Sequence, residues 1–410
     1  MKRLVLLGGG HAHVHVLHAL AQQPLPGVAA MLVTPFERQV YSGMVPGVVA
    51  GHYAPDEAVI PLTPLVRAAG VVHLPAAASA LDANARLITL ADGTTLGYDL
   101  LSVDTGAVMD RDLIPGAREH ALFVRPIEHF LQLLQRLRDL AAQRALDIVV
   151  VGGGAAGFEL ALALAHALGG QAPGELPDAR VTLVTGGGDP LAAYPPAVVA
   201  RGLRALQRAR VTVLRAACAA IEPGSVVLDQ GTRVACDAPL IAVGAAAPAW
   251  LRGSGLALDD RGFIATGPTL QSTSHADVFA AGDVATRVDA PHPKSGVYAV
   301  RAGPALALNL RRALAGGGLL PHQPQPRTLN LLSCGDRSAI ASWGRWTAEG
   351  RWVWRWKDRI DRAFIARFGG GSGRGPHDHG AAAPGRPPEP GLGLSAPGPA
   401  ASGSRADPPW

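Results

Sequence analysis

The sequence predicts an α/β fold in which one βαβ unit occurs twice, and three observations predict it. Residues 4–7 (LVLL) form a short apolar run of the kind a buried parallel strand shows. Glycines 8–10 follow, then a helical pattern over 11–22 and a second apolar run at 28–34. The same order returns as an apolar run at 147–151, glycines 152–154, an Ala/Leu-rich helix through residue 168 and a strand at 180–185. Third, the apolar strand 277–283 (DVFAAGD) ends in Gly-Asp and is followed by a helix over 296–315.

The remaining elements follow in order. Residues 99–105 are strand-like, and 127–142 are helical, with Ile127, Phe130, Leu131, Leu134 and Leu137 on one face. A hairpin is expected over 225–236 around Gln230 and Gly231, and then a buried strand at 239–243. The stretch 328–356 is aromatic and strand-rich, with Trp352, Trp354 and Trp356 alternating as on a strand. From Trp356 the spacing turns helical through Ile360, Phe364 and Phe368, beside Lys357, Arg359, Arg362 and Arg367. This basic, aromatic segment, Trp352 to Phe368, has two readings: a peripheral membrane contact, or an apolar face that covers the first domain. Residues 369–410, rich in Gly, Pro, Ala and Ser, are expected to be a disordered tail.

A chain of 410 residues that is 48% hydrophobic can bury the cores of two or three domains. Its net charge of +5 comes almost wholly from scattered Arg, with Lys only at 2, 294 and 357. No basic run with interleaved aromatics speaks for nucleic acid, and an anionic membrane surface is the electrostatic partner the sequence favours. The three cysteines, Cys218, Cys236 and Cys334, form no CxxC pair, so neither a disulfide framework nor a zinc site is indicated. The apolar run after Lys2 and Arg3 is too short for a signal-peptide core, and no stretch approaches the ~20 apolar residues that span a bilayer. The expected location is therefore cytoplasmic, extending to peripheral contact on the inner face of the cytoplasmic membrane.

Gly152, Gly154 and Gly157 complete a GxGxxG between strand and helix, with Ala155 as the first helical residue. The first glycine permits the turn, the second lets backbone approach a pyrophosphate and the third lets the helix pack closely, while the helix N-terminus faces the phosphates. In the first copy, Gly8-Gly9-Gly10-His11-Ala12-His13, a histidine stands at the third-glycine position. Both second strands lack the usual acidic ribose partner, ending at Thr34-Pro35 and Thr185-Gly186. His11, His15 and His18 share a helical face and invite a metal reading, against which stands simple packing onto sheet or cofactor. The second of these is favoured, and no metal site is assigned.

These motifs, together with residues 98–106 (YDLLSVDTG) and 241–244, resemble the pyridine nucleotide-disulfide oxidoreductase superfamily in content and order over residues 1–368. Within it the chain is most similar to the type II NADH dehydrogenase-like branch, also found fused to selenide, water dikinase. The similar stretches are 8–14 (GGGHAHV), 41–47 (YSGMVPG), 293–303 (PKSGVYAVRAG), 331–341 (LLSCGDRSAIA) and 350–361 (GRWVWRWKDRID). The resemblance implies two nested Rossmann-like dinucleotide-binding domains, glutathione-reductase-like, with a small C-terminal α+β cap. The FAD-binding domain would comprise 1–125 and 265–322, the NAD(P)-binding domain 126–264 and the cap 323–368.

It further implies an FAD site at Gly8, Gly10, His11, Ala12, His13, Thr34, Tyr41, Thr105, Gly106, Gly282, Asp283, Lys294, Gly296 and Val297. Asp283 would meet the ribityl chain, and Lys294 would tune the flavin beside the helix that starts near Gly296, its alternative being a solvated lysine. The NAD(P) site would comprise Gly152, Gly154, Ala155, Gly157, Glu159 and Gly244. Glu159 is either near the nicotinamide or a plain helix N-terminal carboxylate. The expected reaction is hydride transfer from NAD(P)H to flavin and on to a quinone or other small acceptor, without redox-active cysteines or a catalytic side chain. The alternatives are a flavoprotein reductase for a selenium or sulfur compound and a non-catalytic flavin- or nucleotide-binding protein. A homodimer is compatible with the resemblance.

Overall fold

The protein is seen in a computed structural model that describes residues 1–169 and 179–369. The first unit forms as the apolar runs require: strand Lys2–Leu7, helix α1 (His11–Gln22) and strand Val28–Val33, with the two strands parallel. Strand Leu100–Val103 pairs on the other side of Lys2–Leu7, and Val72–Leu74 and Val278–Ala280 complete a parallel sheet of five. The chain thus leaves this sheet and returns to it some 170 residues later, since strand Val278–Ala280 lies at its edge.

The second unit repeats the plan. It follows helix α2 (Ile127–Ala141), and its glycine-loop strand Asp147–Val151 lies at the centre of another parallel sheet of five. Helix α3 (Ala155–Leu168) packs on that sheet, and the other strands are Leu122–Phe123, Ala238–Ile241, Arg180–Val184 and Thr212–Leu214. The chain joins this sheet at Leu122, slightly ahead of the expected boundary at residue 125. Each unit also carries a three-stranded antiparallel meander: Ala78–Asp82, Leu87–Leu90 and Thr95–Gly97 in the first, Cys218–Glu222, Ser225–Leu228 and Arg233–Ala235 in the second. The expected hairpin around Gly231 belongs to the second meander. The first was missed because its strands are short and only partly apolar.

Helix α4 (Gly296–Ala315) packs along α1, whose residues Ala12 to Leu17 are buried on all sides, as a helix between a sheet and a second helix must be. Three antiparallel strands follow, Asn330–Ser333, Ala339–Trp343 and Trp346–Gly350, and then helix α5 (Arg351–Phe368). This corrects the strand expected for Trp352, Trp354 and Trp356. The alternation covers only five residues, too few to separate period 2 from period 3.6. Gly350, at φ 136°, turns the chain out of the strand. Val353, Lys357 and Asp361 then form the buried face of α5, while Trp352, Trp356 and Ile360 lie one turn apart on the exposed one. The expected disordered tail lies, apart from Gly369, outside the described residues.

Candidate active site between the two units

A cavity of about 620 Å³ opens where the first glycine loop, the start of α4 and the approach to the second sheet meet. Its size is that of a small-molecule site. Of the expected FAD residues, Gly8, Gly10, His11, Thr34, Thr105, Gly106, Gly282, Asp283 and Gly296 line it. Three things on its wall suit a phosphate-bearing, hydroxyl-rich ligand. Helix α4 starts at Gly296 without a side-chain cap, leaving main-chain N–H groups and the positive dipole end unsatisfied. Gly106, at φ +74°, has open space where a Cβ would stand. Asp283 is held by Arg125 at 3.1 Å, so an acceptor and a donor sit together on the wall.

The other expected FAD residues stand behind that wall or away from it. Ala12 and His13 are fully buried. The His13 Nδ1–H donates to the Gly8 carbonyl at 2.6 Å, which fixes the tautomer, so Nε2 accepts from the Ser102 hydroxyl at 2.8 Å. Burial pushes its pKa down to about 4 and keeps it neutral. Tyr41 stacks on Phe364 of α5 with ring centroids 4.6 Å apart, and neither Tyr41 nor Val297 reaches the cavity. Lys294 turns its ammonium away. It donates to the Ala285 carbonyl and, at 2.8 Å, to the Thr286 hydroxyl, and sits 3.9 Å from the centroid of the Phe263 ring. The structure thus gives Lys294 neither of its expected roles: it is neither on the cavity wall nor a freely solvated side chain.

The histidine row on α1 is shared out rather than gathered. His11 lines the cavity, within 3.3 Å of the Gln39 amide. Its pKa is lowered to about 4, chiefly by burial. His15 and His18 pack edge-on against Phe368 at 4.7 and 5.4 Å. Among the described residues no group of three or more His, Cys, Asp or Glu is placed to hold a metal. The three thiols are free, and none lines the cavity.

The second glycine loop faces a separate, open surface. Gly154 begins α3 with no side-chain cap, and a Cβ there would meet nothing within 4 Å. Gly152 (φ 134°) and Gly153 are partly exposed beside it, as is Ala155, and Gly244 is exposed. Gly157 is buried, and a Cβ on it would collide with the carbonyl oxygen of Gly152. Glu159 points elsewhere. It accepts the Ser333 main-chain N–H at 2.7 Å, and burial pushes its pKa up to about 7, opposed by the charge of Lys357. Lys357 in turn pairs with Asp361 at 2.6 Å. Glu159 therefore joins α3 to the cap.

Among the residues of the cavity wall that sequence reasoning missed, two bear on its chemistry. Arg125 gave no signal, because its partner Asp283 is 158 positions away. Asp104 gave one, an acid closing the otherwise apolar strand of YDLLSVDTG. It is 3% exposed, and its Oδ2 accepts the main-chain N–H groups of Ala12 at 2.7 Å and His13 at 2.9 Å.

Two parallel sheets, each with a glycine loop feeding a helix N-terminus, and a cavity where they meet define a two-dinucleotide-domain oxidoreductase. The chain belongs to the pyridine nucleotide-disulphide oxidoreductase family, whose model matches residues 2–303. It is 30% identical over 307 residues to an NADH dehydrogenase-like protein of Mycobacterium tuberculosis, covering 71% of this chain and 75% of that one. It is 26% identical over 360 residues to the demethylphylloquinone reductase of Synechocystis, covering 83% and 86%. Its fold is shared with NDH2 of Plasmodium falciparum in complex with NADH, at a TM-score of 0.73 and 12% identity, covering 90% of this chain and 99% of that one. The sulfide:quinone oxidoreductase of Aquifex aeolicus superposes at 0.73 and 17% identity, covering 90% and 92%. The chain is accordingly an FAD-dependent oxidoreductase of the type II NADH dehydrogenase-like kind, with NAD(P)H as co-substrate.

Proposed function

We propose that this chain passes electrons from NAD(P)H through FAD to a quinone, with FAD held in the inter-unit cavity and NAD(P)H laid across the second glycine loop. The carrying observation is the pairing of that cavity with the uncapped, sterically open N-terminus of α3 at Gly154. FAD, when bound, would supply the two-electron chemistry that links NAD(P)H to the acceptor. The chain's own part is to place the two ligands: Asp283 with Arg125, the start of α4, Thr105 and Gly106 orient the first, and Gly152, Gly154 and Gly244 receive the second. Residues 1–125 and 265–322 then serve FAD, 126–264 serve NAD(P)H, and 323–368 form the cap. The similarity to a demethylphylloquinone reductase supports a quinone acceptor.

Peripheral contact with an anionic membrane belongs to the same reading. In the cap Trp343, Trp346, Trp352, Trp356 and Ile360 are exposed, as are Arg345, Arg355 and Arg359. Such side chains suit the headgroup region, where a quinone is met. Among the described residues no helix is long and apolar enough to cross a membrane.

The test is the flavin spectrum of the purified protein under anaerobic conditions. NADH or NADPH should bleach it, and a short-chain quinone should restore it within a turnover. A flavin that neither nucleotide bleaches overturns the reading. One that bleaches but is reoxidised only by a selenium or sulfur compound overturns the acceptor.

A further inference from the structure

The N-terminus of α1 is where the family fold offers main-chain N–H groups to a pyrophosphate, yet here a carboxylate of the chain already occupies part of it. Asp104 Oδ2 takes the N–H groups of Ala12 and His13, while Asp104 also lines the cavity. The contact is built in. A Cβ on Gly10 would collide with the Asp104 carboxyl group, and one on Gly282 would fall 2.5 Å from Asp104 Oδ1. Glycines on two separate loops therefore make room for this one side chain.

The charges around Asp104 do not neutralise it. From α1 it faces His13, whose ring is spent on Gly8 and Ser102, and His11, beside Gln39; both are neutral above a pH of about 4. From the turn at Gly282 it faces Asp283, a second carboxylate, whose Arg125 partner is bound to it. Lys294, in the loop ahead of α4, is committed to Ala285 and Thr286. The N–H groups of Ala12 and His13 favour the carboxylate, but an ionised Asp104 and a dianionic pyrophosphate at the same helix terminus, with Asp283 on the adjoining turn, repel one another, and a proton on Asp104 relieves this. We propose that FAD binding to this chain is coupled to protonation of Asp104, which acts as a positioning residue: neutral, it holds the start of α1 beside the bound dinucleotide, and ionised, it competes with it. Burial already favours the neutral acid, raising the Asp104 pKa to about 8 before any phosphate is present.

The inference rests on the FAD reading above and is tested by flavin retention rather than turnover. Holoprotein is diluted across pH 6–10, and free FAD is measured by its fluorescence. The apparent Kd should rise with pH, approaching about tenfold per unit for one linked proton. Asp104→Asn keeps an acceptor for the two N–H groups and carries no charge, so it should retain FAD with a flat profile, and Asp104→Ala serves as the control for lost packing. Lys294 also titrates near 8, so its deprotonation would leave the slope in Asp104→Asn; an unchanged slope there overturns the proposal. A flat wild-type profile with FAD bound also overturns it while leaving the FAD assignment standing. Protein that holds no FAD at any pH overturns both.

Discussion

The two glycine loops come from one sequence pattern and have become different objects. In the second, the glycines do what the pattern requires: Gly157 is pressed against the Gly152 carbonyl so that α3 can sit close, and Gly154 leaves open space in front of the helix. In the first, the third glycine is His13, whose ring bridges Gly8 and Ser102 inside the unit, and Gly10 makes room for Asp104 rather than only for a ligand. One loop is an exposed shelf, which suits the ligand that comes and goes in the proposed reaction; the other is locked into its surroundings, as suits a cofactor that stays. A glycine signature thus reports a backbone that must come close to something. Whether that partner is a phosphate or the protein's own side chain is settled by residues far away in sequence.

The largest expected effect lies where the approach is to backbone. Gly157→Ala places a methyl against a carbonyl that cannot swing aside, and should destabilise the chain by roughly 3 kcal/mol, the upper range for overpacking. In thermal melts that loss should fall on the second unit, with NAD(P)H bleaching abolished and flavin retained. Loss of the flavin itself from the folded Gly157→Ala protein would reverse the assignment of the two loops. Gly10→Ala meets the Asp104 carboxyl group as well as the Asp104 main-chain carbonyl, and should cost about 1–3 kcal/mol and most of the bound FAD. Adding Asp104→Ala should return part of the stability, because part of the clash is with that carboxylate and the rest, with the main-chain carbonyl, remains. A double-mutant cycle that comes out additive would show that Gly10 and Asp104 do not couple.

Why one level of this structure was open to sequence reasoning and another closed follows from the same contrast. The strands at 4–7 and 147–151 and the helices that follow are local, each written in a few consecutive apolar residues and a glycine turn. Nine of the expected FAD residues reach the cavity because they lie just past the ends of strands of the first sheet, Lys2–Leu7, Val28–Val33, Leu100–Val103 and Val278–Ala280, or at the start of α4. What stayed closed was side-chain direction. Lys294 is in the expected loop, but Phe263 and Thr286 draw its amine the other way. Glu159 follows the second loop as expected, but its carboxylate serves Ser333 of the cap. The tryptophans at 352–356 satisfied two periodicities at once, and the packing of Val353 and Lys357 on α5 decided between them.

Gly154→Ala should be nearly silent in stability, since its Cβ meets no atom, yet it narrows the approach to the uncapped start of α3. A rise in KM for NAD(P)H of about tenfold, equivalent to ~1.4 kcal/mol of binding, is expected with kcat close to unchanged. An unaltered KM would mean that the nucleotide does not approach this glycine, and the shelf would lose its ligand.

The smallest effect concerns the half-buried acid that follows the shelf. Glu159 is raised from 4.5 to about 7, so on raising the pH the unfolded chain releases this proton first. Between those values the folded state holds more protons, and stability falls as the pH rises. Glu159→Gln should remove that decline over pH 4.5–7, measured by urea unfolding at several pH values, while leaving flavin retention across pH 6–10 as in the wild type. Asp104 has the same sign of linkage but sits at the cofactor, so Asp104→Asn should change the retention profile instead. Two acids with raised pKa values, one coupled to folding through the cap and one to the cofactor through α1, would then separate the two loops by pH alone. If both substitutions moved the same measurement, the loops would be energetically one site.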